Sequence, residues 1–375
     1  MTVAEHLQNL IRIPSVSAIS NRPVIDYATA VLHTIGWTTR ELSYTDPNGI
    51  EKVNLIAVPP QQDASTRNVD LAFVCHTDTV PYANDWPHAI DPFIADGLLH
   101  GCGACDVKGF LACLLSTASS CEGRYIDGLR IVLSSDEEIG CIGAKHLRAT
   151  DAIRARRMII GEPTSLHVAR AGKGYCLARL SFTGREAHSA HPGKGVSAIF
   201  AAARMIASLE ALSEELKQQC NNFFSPPFTT LNIGTIQGGT AKNIIPAYCE
   251  FLVEWRPIPT ASSSEDRVLT AIHKLVANFT ADDPSFSCRV DLLRQQSGFE
   301  TPSDSPLVKF IEDKTARPAT SIPFGSEASI FASITEDIVV IGPGDMRSAH
   351  SNRECVPLTE LDEAVEMMAA LMSIA

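Results

Sequence analysis

Several points along this 375-residue chain carry side chains of the kind that bind divalent cations. His76-Thr77-Asp78 follows the apolar run LAFVC, and Asp136-Glu137-Glu138 follows RIVLSS. Glu162 follows MIIG, and His350 comes within ten residues of IVVIG. Asp106 closes a glycine-rich turn, Gly101-Cys102-Gly103-Ala104-Cys105-Asp106. Neutral imidazoles and carboxylates together suit a metal with nitrogen and oxygen ligands. Suppose His76, Asp106 and Glu162 hold one ion while Asp106, Glu138 and His350 hold a second. Asp106 then bridges, and three ligand carboxylates plus a bridging hydroxide match the charge of two divalent ions. That balance matters, because an uncompensated buried charge is very costly. Asp78 lies two residues beyond His76, on the same side of an extended chain, where it could accept the imidazole N–H. Glu137 is left over as a general base, to take a proton from an activated water and give it to a leaving nitrogen. Such a set suits hydrolysis of an amide bond.

Each residue alone has a plainer explanation. His76 by itself is a polar strand cap, Asp136-Glu137-Glu138 a solvated turn, and Glu162 a surface acid. The joint pattern changes this, since strand ends of one open α/β sheet converge on one place. Cys102 and Cys105 have the CxxC spacing of a zinc or redox pair, but no second CxxC accompanies them. A non-catalytic metal or redox protein built on Cys102 and Cys105 is therefore the rival from another class. Space-filling reduced thiols are the reading preferred here. Gly101-x-Gly103 lacks the third glycine of a dinucleotide fingerprint.

Short apolar runs at 71–76, 130–135 and 158–161 read as buried strands, with an apolar helix at 107–119 between the first two. Helical periodicity marks 3–12 and 24–35, a further buried strand is expected at 338–342, and a helix at 358–373. This rhythm implies a mainly parallel α/β/α sandwich with right-handed crossovers. The middle of the chain differs. Strands are expected at 174–183, 229–236, 247–256 and 285–294, with helices at 194–218 and 264–278. That order predicts an inserted α+β, ferredoxin-like domain over 171–296, leaving 1–170 and 297–375 as one discontinuous catalytic domain.

The net charge of −12 disfavours nucleic acid and anionic membrane surfaces as partners. No apolar stretch approaches the ~18 residues of a membrane span. The N-terminal sequence has no basic region ahead of an apolar one, which argues against a secretion signal. Eleven scattered cysteines then read as reduced thiols in a cytoplasmic protein.

Four motifs carry a resemblance. His76-Thr77-Asp78-Thr79-Val80, Gly103-Ala104-Cys105-Asp106-Val107-Lys108-Gly109, Asp136-Glu137-Glu138 and Gly161-Glu162-Pro163-Thr164-Ser165 resemble, in order, those of the co-catalytic zinc aminoacylase and carboxypeptidase (M20) family. The likeness spans nearly the whole chain. It implies zinc, one or two ions per subunit with cobalt as a substitute, on the ligands named above. It also implies Glu137 as base, Asp78 as partner of His76, and a cis peptide after Asp106. The insert looks like the family's dimerisation or lid domain, so a homodimer is expected. His188 matches a histidine that donates to the oxyanion of the tetrahedral intermediate, and Asn243, Arg256, Gly325 and Ser326 match substrate-binding positions. The segments 161–165, 170–174 and 324–328 look most like the branch that cleaves N-acetyl-L-ornithine to L-ornithine and acetate in arginine biosynthesis. A desuccinylase-like, carboxypeptidase-like or degenerate non-catalytic member remains the alternative within the family. Cys102 and Cys105 beside the bridging aspartate depart from the usual pattern, as does Glu254 where aspartate is common.

Overall fold

In the computed structural model, residues 1–121, 123–259, 267–282 and 285–373 are described. The chain divides into two compact units. One comprises Met1–Ala171, Glu300–Thr320 and Ser326–Ala375, the other Gly172–Phe299 and Ser321–Gly325. The short excursion at Ser321–Gly325 has no counterpart in the sequence reading.

The first unit is built on a mixed, mainly parallel sheet. Its strands run in the order Thr38–Thr45, Glu51–Val58, Leu129–Ser134, Asn68–His76, Arg154–Ile160, Asp337–Val340 and Ala169–Gly172. The central four are parallel. Glu51–Val58 joins Leu129–Ser134 antiparallel, and Thr38–Thr45 folds back on it as a hairpin. Leu71, Phe73, Cys75, Leu129, Ile131 and Leu133 point into a core shared with helices Val3–Ile11, Arg22–Thr34, Lys108–Ser120 and Leu358–Met372. The alternate residues Ala72, Val74 and Val132 are buried as well. A strand buried on both faces must be apolar throughout, which is why these runs do not alternate. Lys108–Ser120 is enclosed for the same reason, with ten buried residues among its thirteen. Helix Val3–Ile11 starts with a capping box in which Thr2 and Glu5 satisfy each other's backbone N–H groups.

The second unit has a four-stranded antiparallel sheet, in the order Thr230–Gly238, Tyr248–Arg256, Tyr175–Thr183, Ser287–Gln296. With helices Ala198–Leu216 and Arg267–Asp282, the chain order is strand, helix, strand, strand, helix, strand, the ferredoxin-like pattern. Alternation decides the faces. Cys176, Ala178, Leu180 and Phe182 turn towards the helices, and so do Cys249, Phe251, Val253 and Trp255.

Element boundaries differ from the sequence reading in places. The helix expected from 194 begins at Ala198, because Ser197 is extended and its hydroxyl accepts from the Phe200 N–H. Ahead of it, Pro192–Lys194 forms a 3₁₀ turn. The strand expected at 158–161 starts at Arg154, since its first half is polar and gave no apolar signal. Of the helix expected at 264–278, residues 264–266 lie outside the described residues. Phe73 is wholly buried at the centre of the main core. Phe73→Ala is expected to cost about 3–5 kcal/mol, read as a lower urea midpoint.

Candidate metal centre

Strand register brings the candidate ligands level. His76 ends its strand opposite Ser134, and Val74 lies opposite Ile160, which in turn lies opposite Val340. The residues just past these positions therefore emerge from one edge of the sheet. They form two groups, His76–Asp106–Glu162 and Asp106–Glu138–His350, within each of which the ligand atoms lie within 4.8 Å of one another. Asp106 belongs to both. Its Oδ1 is 3.1 Å from His76 Nε2, and its Oδ2 is 3.2 Å from His350 Nε2. His350 Nε2 is also 3.3 Å from the Glu138 carboxylate. His76, Asp106 and Glu162 are buried, while His350 is the exposed member, held at positive φ.

The His76 ring is oriented by its other nitrogen. Nδ1 lies 3.1 Å from the Asp78 carbonyl oxygen and 3.6 Å from the Asp78 carboxylate. A carbonyl can only accept, so Nδ1 carries the proton and Nε2 presents its lone pair to a ligand. The Asp78 carboxylate itself accepts from Ser17 Oγ at 2.6 Å and from the backbone N–H groups of Glu137 at 3.0 Å and Glu138 at 3.3 Å. Asp78 thus ties the His76 strand end to the segment carrying the other acids.

Asp136 has a structural role in that segment. It sits at φ 53°. Its carboxylate accepts from Lys52 Nζ at 2.7 Å and Tyr44 Oη at 2.8 Å. Lys52 is 1% exposed and also donates to the carbonyls of Ser17 and Ile19. Glu137 follows with its side chain nearly buried and the Cys141 thiol 3.2 Å from Oε1.

Glu354 was not singled out from the sequence. One carboxylate oxygen accepts from the backbone N–H groups of Cys105 and Asp106, each at 3.1 Å, and the other from Gly103 at 3.0 Å. Three amides pointing at one buried carboxylate fix the turn that ends in Asp106. The only trace in the sequence is a glutamate four residues after His350. The peptide after Asp106 is cis.

The electrostatics indicate what these donors suit. Burial raises the proton affinity of Glu162, with the Asp106 and Glu137 charges adding to it. Burial likewise raises Glu138, and pushes Glu137 up to about 8. Burial opposes charge on His76, but Asp106 and Asp78 outweigh it and raise the imidazole well above its usual range. Asp106 and then Glu138 raise His350 to about 10. Several acids crowd two histidines in a dry site, and each histidine clings to a proton that a cation would displace. The donors therefore fit divalent ions. Among the described residues, neither group that could hold a metal includes a cysteine. Cys102 and Cys105 are buried, and burial raises both thiols, Cys102 to about 11. They fill space as protonated thiols.

In the second unit, His188 and Asn243 are neighbours. Ala187–His188 pairs with Ile244–Ile245, and the Ser189 N–H donates to the Asn243 carbonyl at 3.0 Å. His188 is exposed, its Nδ1 accepting from Ala190 N. Arg256 ends its strand, donating to Glu254 at 2.9 Å and to the Pro323 carbonyl at 3.2 Å. Gly325 closes the excursion that belongs to this unit, and Ser326 starts the return to the first. The Ser326 hydroxyl is buried and accepts from Ala328 N.

The sequence profile of Peptidase family M20/M25/M40 matches residues 72–373. The chain belongs to this family. Acetylornithine deacetylase of Myxococcus xanthus is 40% identical over 364 residues, covering 97% of this chain and 94% of that protein. The enzyme of the same name from Proteus mirabilis (strain HI4320) is 32% identical over 385 residues, covering 99% and 96%. Among solved structures, a tripeptidase from Staphylococcus aureus superposes with a TM-score of 0.77 at 22% identity, over 99% of this chain and 96% of that one. A Bacillus subtilis protein described as a dinuclear metal-binding peptidase of the M20 family gives 0.71 at 14% identity, over 98% and 96%. Both share the fold. Two ligand groups meeting at Asp106 give this M20/M25/M40 chain the donor set of a dinuclear centre. If Glu354 holds the Asp106 turn as its contacts indicate, Glu354→Ala weakens metal binding about 10–100-fold with the fold intact. Equilibrium dialysis and circular dichroism check this, and unchanged affinity would contradict it.

Proposed function

We propose that this chain hydrolyses N-acetyl-L-ornithine to L-ornithine and acetate, a step of arginine biosynthesis. One observation carries the reading: near full-length similarity to acetylornithine deacetylases in a chain whose candidate metal and base residues are all present. The chain is a metal-dependent amidohydrolase of family M20/M25/M40 acting on a small molecule. In this reading the cations are zinc, with cobalt able to replace it, held by His76, Asp106 and Glu162 and by Asp106, Glu138 and His350. When bound, they polarise the scissile carbonyl and acidify a water.

Protein side chains do the rest. Glu137 takes the proton of the attacking water and returns it to the departing amine nitrogen. Its buried carboxylate, next in sequence to the proposed ligand Glu138, is placed for that task. Asp78 keeps His76 and the Glu137 segment in register through the contacts described above. His188 donates to the oxyanion, and preorganised donors of this kind are worth about 2.7–4 kcal/mol of barrier. Asn243, Arg256, Gly325 and Ser326 bind the substrate, with Arg256 suited to grip a carboxylate through two N–H groups. The working form is a homodimer in the cytoplasm. No helix among the described residues is long and apolar enough to cross a membrane.

Acetate release from N-acetylornithine, assayed beside N-succinyl and peptidyl substrates with elemental analysis of the same sample, tests the reading directly. Preference for a succinyl or peptidyl substrate would replace it. Glu137→Ala should keep its metal while kcat falls about a hundred- to ten-thousandfold. Turnover at the parent rate would remove Glu137 as base. His188→Ala should fold and assemble normally, with kcat lower by about a hundred- to a thousandfold. A parent-like kcat in that variant rules out the oxyanion role.

A further inference from the structure

Two guanidinium groups of the second unit gather on one aromatic ring. Arg256 Cζ lies 4.6 Å from the centre of the Tyr175 ring, and Arg294 Cζ lies 4.4 Å from the same centre. Tyr175 opens the strand Tyr175–Thr183, which is flanked on one side by Tyr248–Arg256 and on the other by Ser287–Gln296. The two arginines therefore reach the ring from opposite neighbouring strands.

Arg294 arrives there through a break in register. Leu292 pairs with Ala178, on the face that packs against the helices. Regular alternation would return Arg294 to that apolar face. The ladder instead shifts between Leu292 and Arg294, leaving Leu293 as the extra residue, so that Arg294 pairs with Leu177 and Gln296 with Tyr175. A bulge of this kind re-aims the next side chain. Here it transfers a cation from the core face to the face that carries Tyr175.

Charge in this neighbourhood is unbalanced. Arg256 is met by Glu254 at 2.9 Å. Arg294 donates to the neutral Gln296 side chain at 2.6 Å, and among the described residues no carboxylate lies within ion-pair distance of it. Arg289, further back on the same strand, is paired with Asp291. Lys173 is buried close by, its ammonium lowered first by burial and then by the Arg256 charge. Like charges assembled without enough counter-charge have the character of an anion site. The segment Pro323–Gly325 passes both guanidinium groups, its Pro323 carbonyl accepting from Arg256 Nη1. A Cβ on Gly325 would touch Gln296 Oε1 at 3.5 Å, Arg294 Nη2 at 3.6 Å and Tyr175 Cβ at 3.7 Å, so this backbone runs directly against the Arg294 and Tyr175 side chains.

We propose that Arg294 is a second arm beside Arg256 in a clamp on Tyr175 for the free carboxylate of the substrate. Arg294 is then a specificity-determining residue that selects N-acyl amino acids bearing an unblocked carboxylate. The planar fork of a guanidinium suits a carboxylate's two oxygens, and the Tyr175 ring stands against both forks. This rests on the function proposed above, because it takes the substrate class from there.

The test uses the full-length metal-loaded enzyme and matched substrates, N-acetyl-L-ornithine and its carboxamide. A panel of other N-acyl amino acids, each with its carboxamide, is run in parallel. Arg294→Ala is expected to lower kcat/KM on the free acid about tenfold or more and on the carboxamide less than twofold. Arg294→Lys, which keeps the charge but not the fork, should fall between. Equal losses on acid and amide would show Arg294 to be structural, and no loss on either would show it idle, so both overturn the clamp. If the parent prefers another N-acyl amino acid, the acetylornithine reading fails while the acid-to-amide ratio on that substrate still decides the clamp. A parent that cleaves no member of the panel overturns both.

Discussion

The first unit is organised around acids that cannot all stay ionised close together without cations. Asp106, Glu137, Glu138 and Glu162 converge with only His76 and His350 to offset them, in a site buried on the Glu162 side and open at His350. Two carboxylates sharing a dry pocket cannot both stay ionised, so one or more must take up a proton. Divalent ions remove this conflict and allow every ligand to be deprotonated. The fold therefore holds its acids in an arrangement that is unfavourable by itself and favourable once charged partners arrive. Binding energy of the metal then adds to stability, because an unfolded chain has no such site.

Holding that arrangement requires rigid partners for residues that coordinate nothing. Glu354 gathers three backbone N–H groups under the Asp106 turn. Lys52 and Tyr44 fix Asp136. Asp78 links His76 to the amides of Glu137 and Glu138. Charged groups serve here because each satisfies several donors at once, and hydrogen bonds to a charged acceptor are the stronger kind. The ion pair of Lys52 with Asp136 is fully enclosed, so losing one partner would strand the other as a buried charge, at a cost of about 3–5 kcal/mol. These residues sit at the ends of secondary-structure elements, where chain direction is least determined by periodicity.

Much of the first unit was legible because buried parallel strands are written as unbroken apolar runs, each ending abruptly in a polar residue. LAFVCH and RIVLSS announce both a strand and the place near its end where a candidate ligand follows. Asp106 was legible from its glycine turn. The hairpin Thr38–Thr45 and Glu51–Val58 was not, since its outer strand alternates between half-buried and exposed with little apolar contrast. Asp136 received no role from the sequence, because spacing cannot tell what a carboxylate in the run Asp136-Glu137-Glu138 faces, and its partner Lys52 lies 84 residues away. Glu354 was missed for the converse reason. Its partners are backbone amides, which have no sequence signature.

Arg294 shows the same limit in a sheet. Side chains alternate strictly along a strand, so a one-residue slip moves every later side chain to the opposite face. Reading SCRVDLLRQQ with regular alternation sends Arg294 to the face that Cys288 and Val290 pack against the helices. The extra Leu293 reverses that assignment, and the position of a bulge depends on cross-strand hydrogen bonding rather than on local composition. A substrate-selecting residue placed by a bulge can also be gained or lost by a single insertion. The core face of the strand before the bulge keeps its register in either case, so recognition can change while the packing that supports the sheet does not.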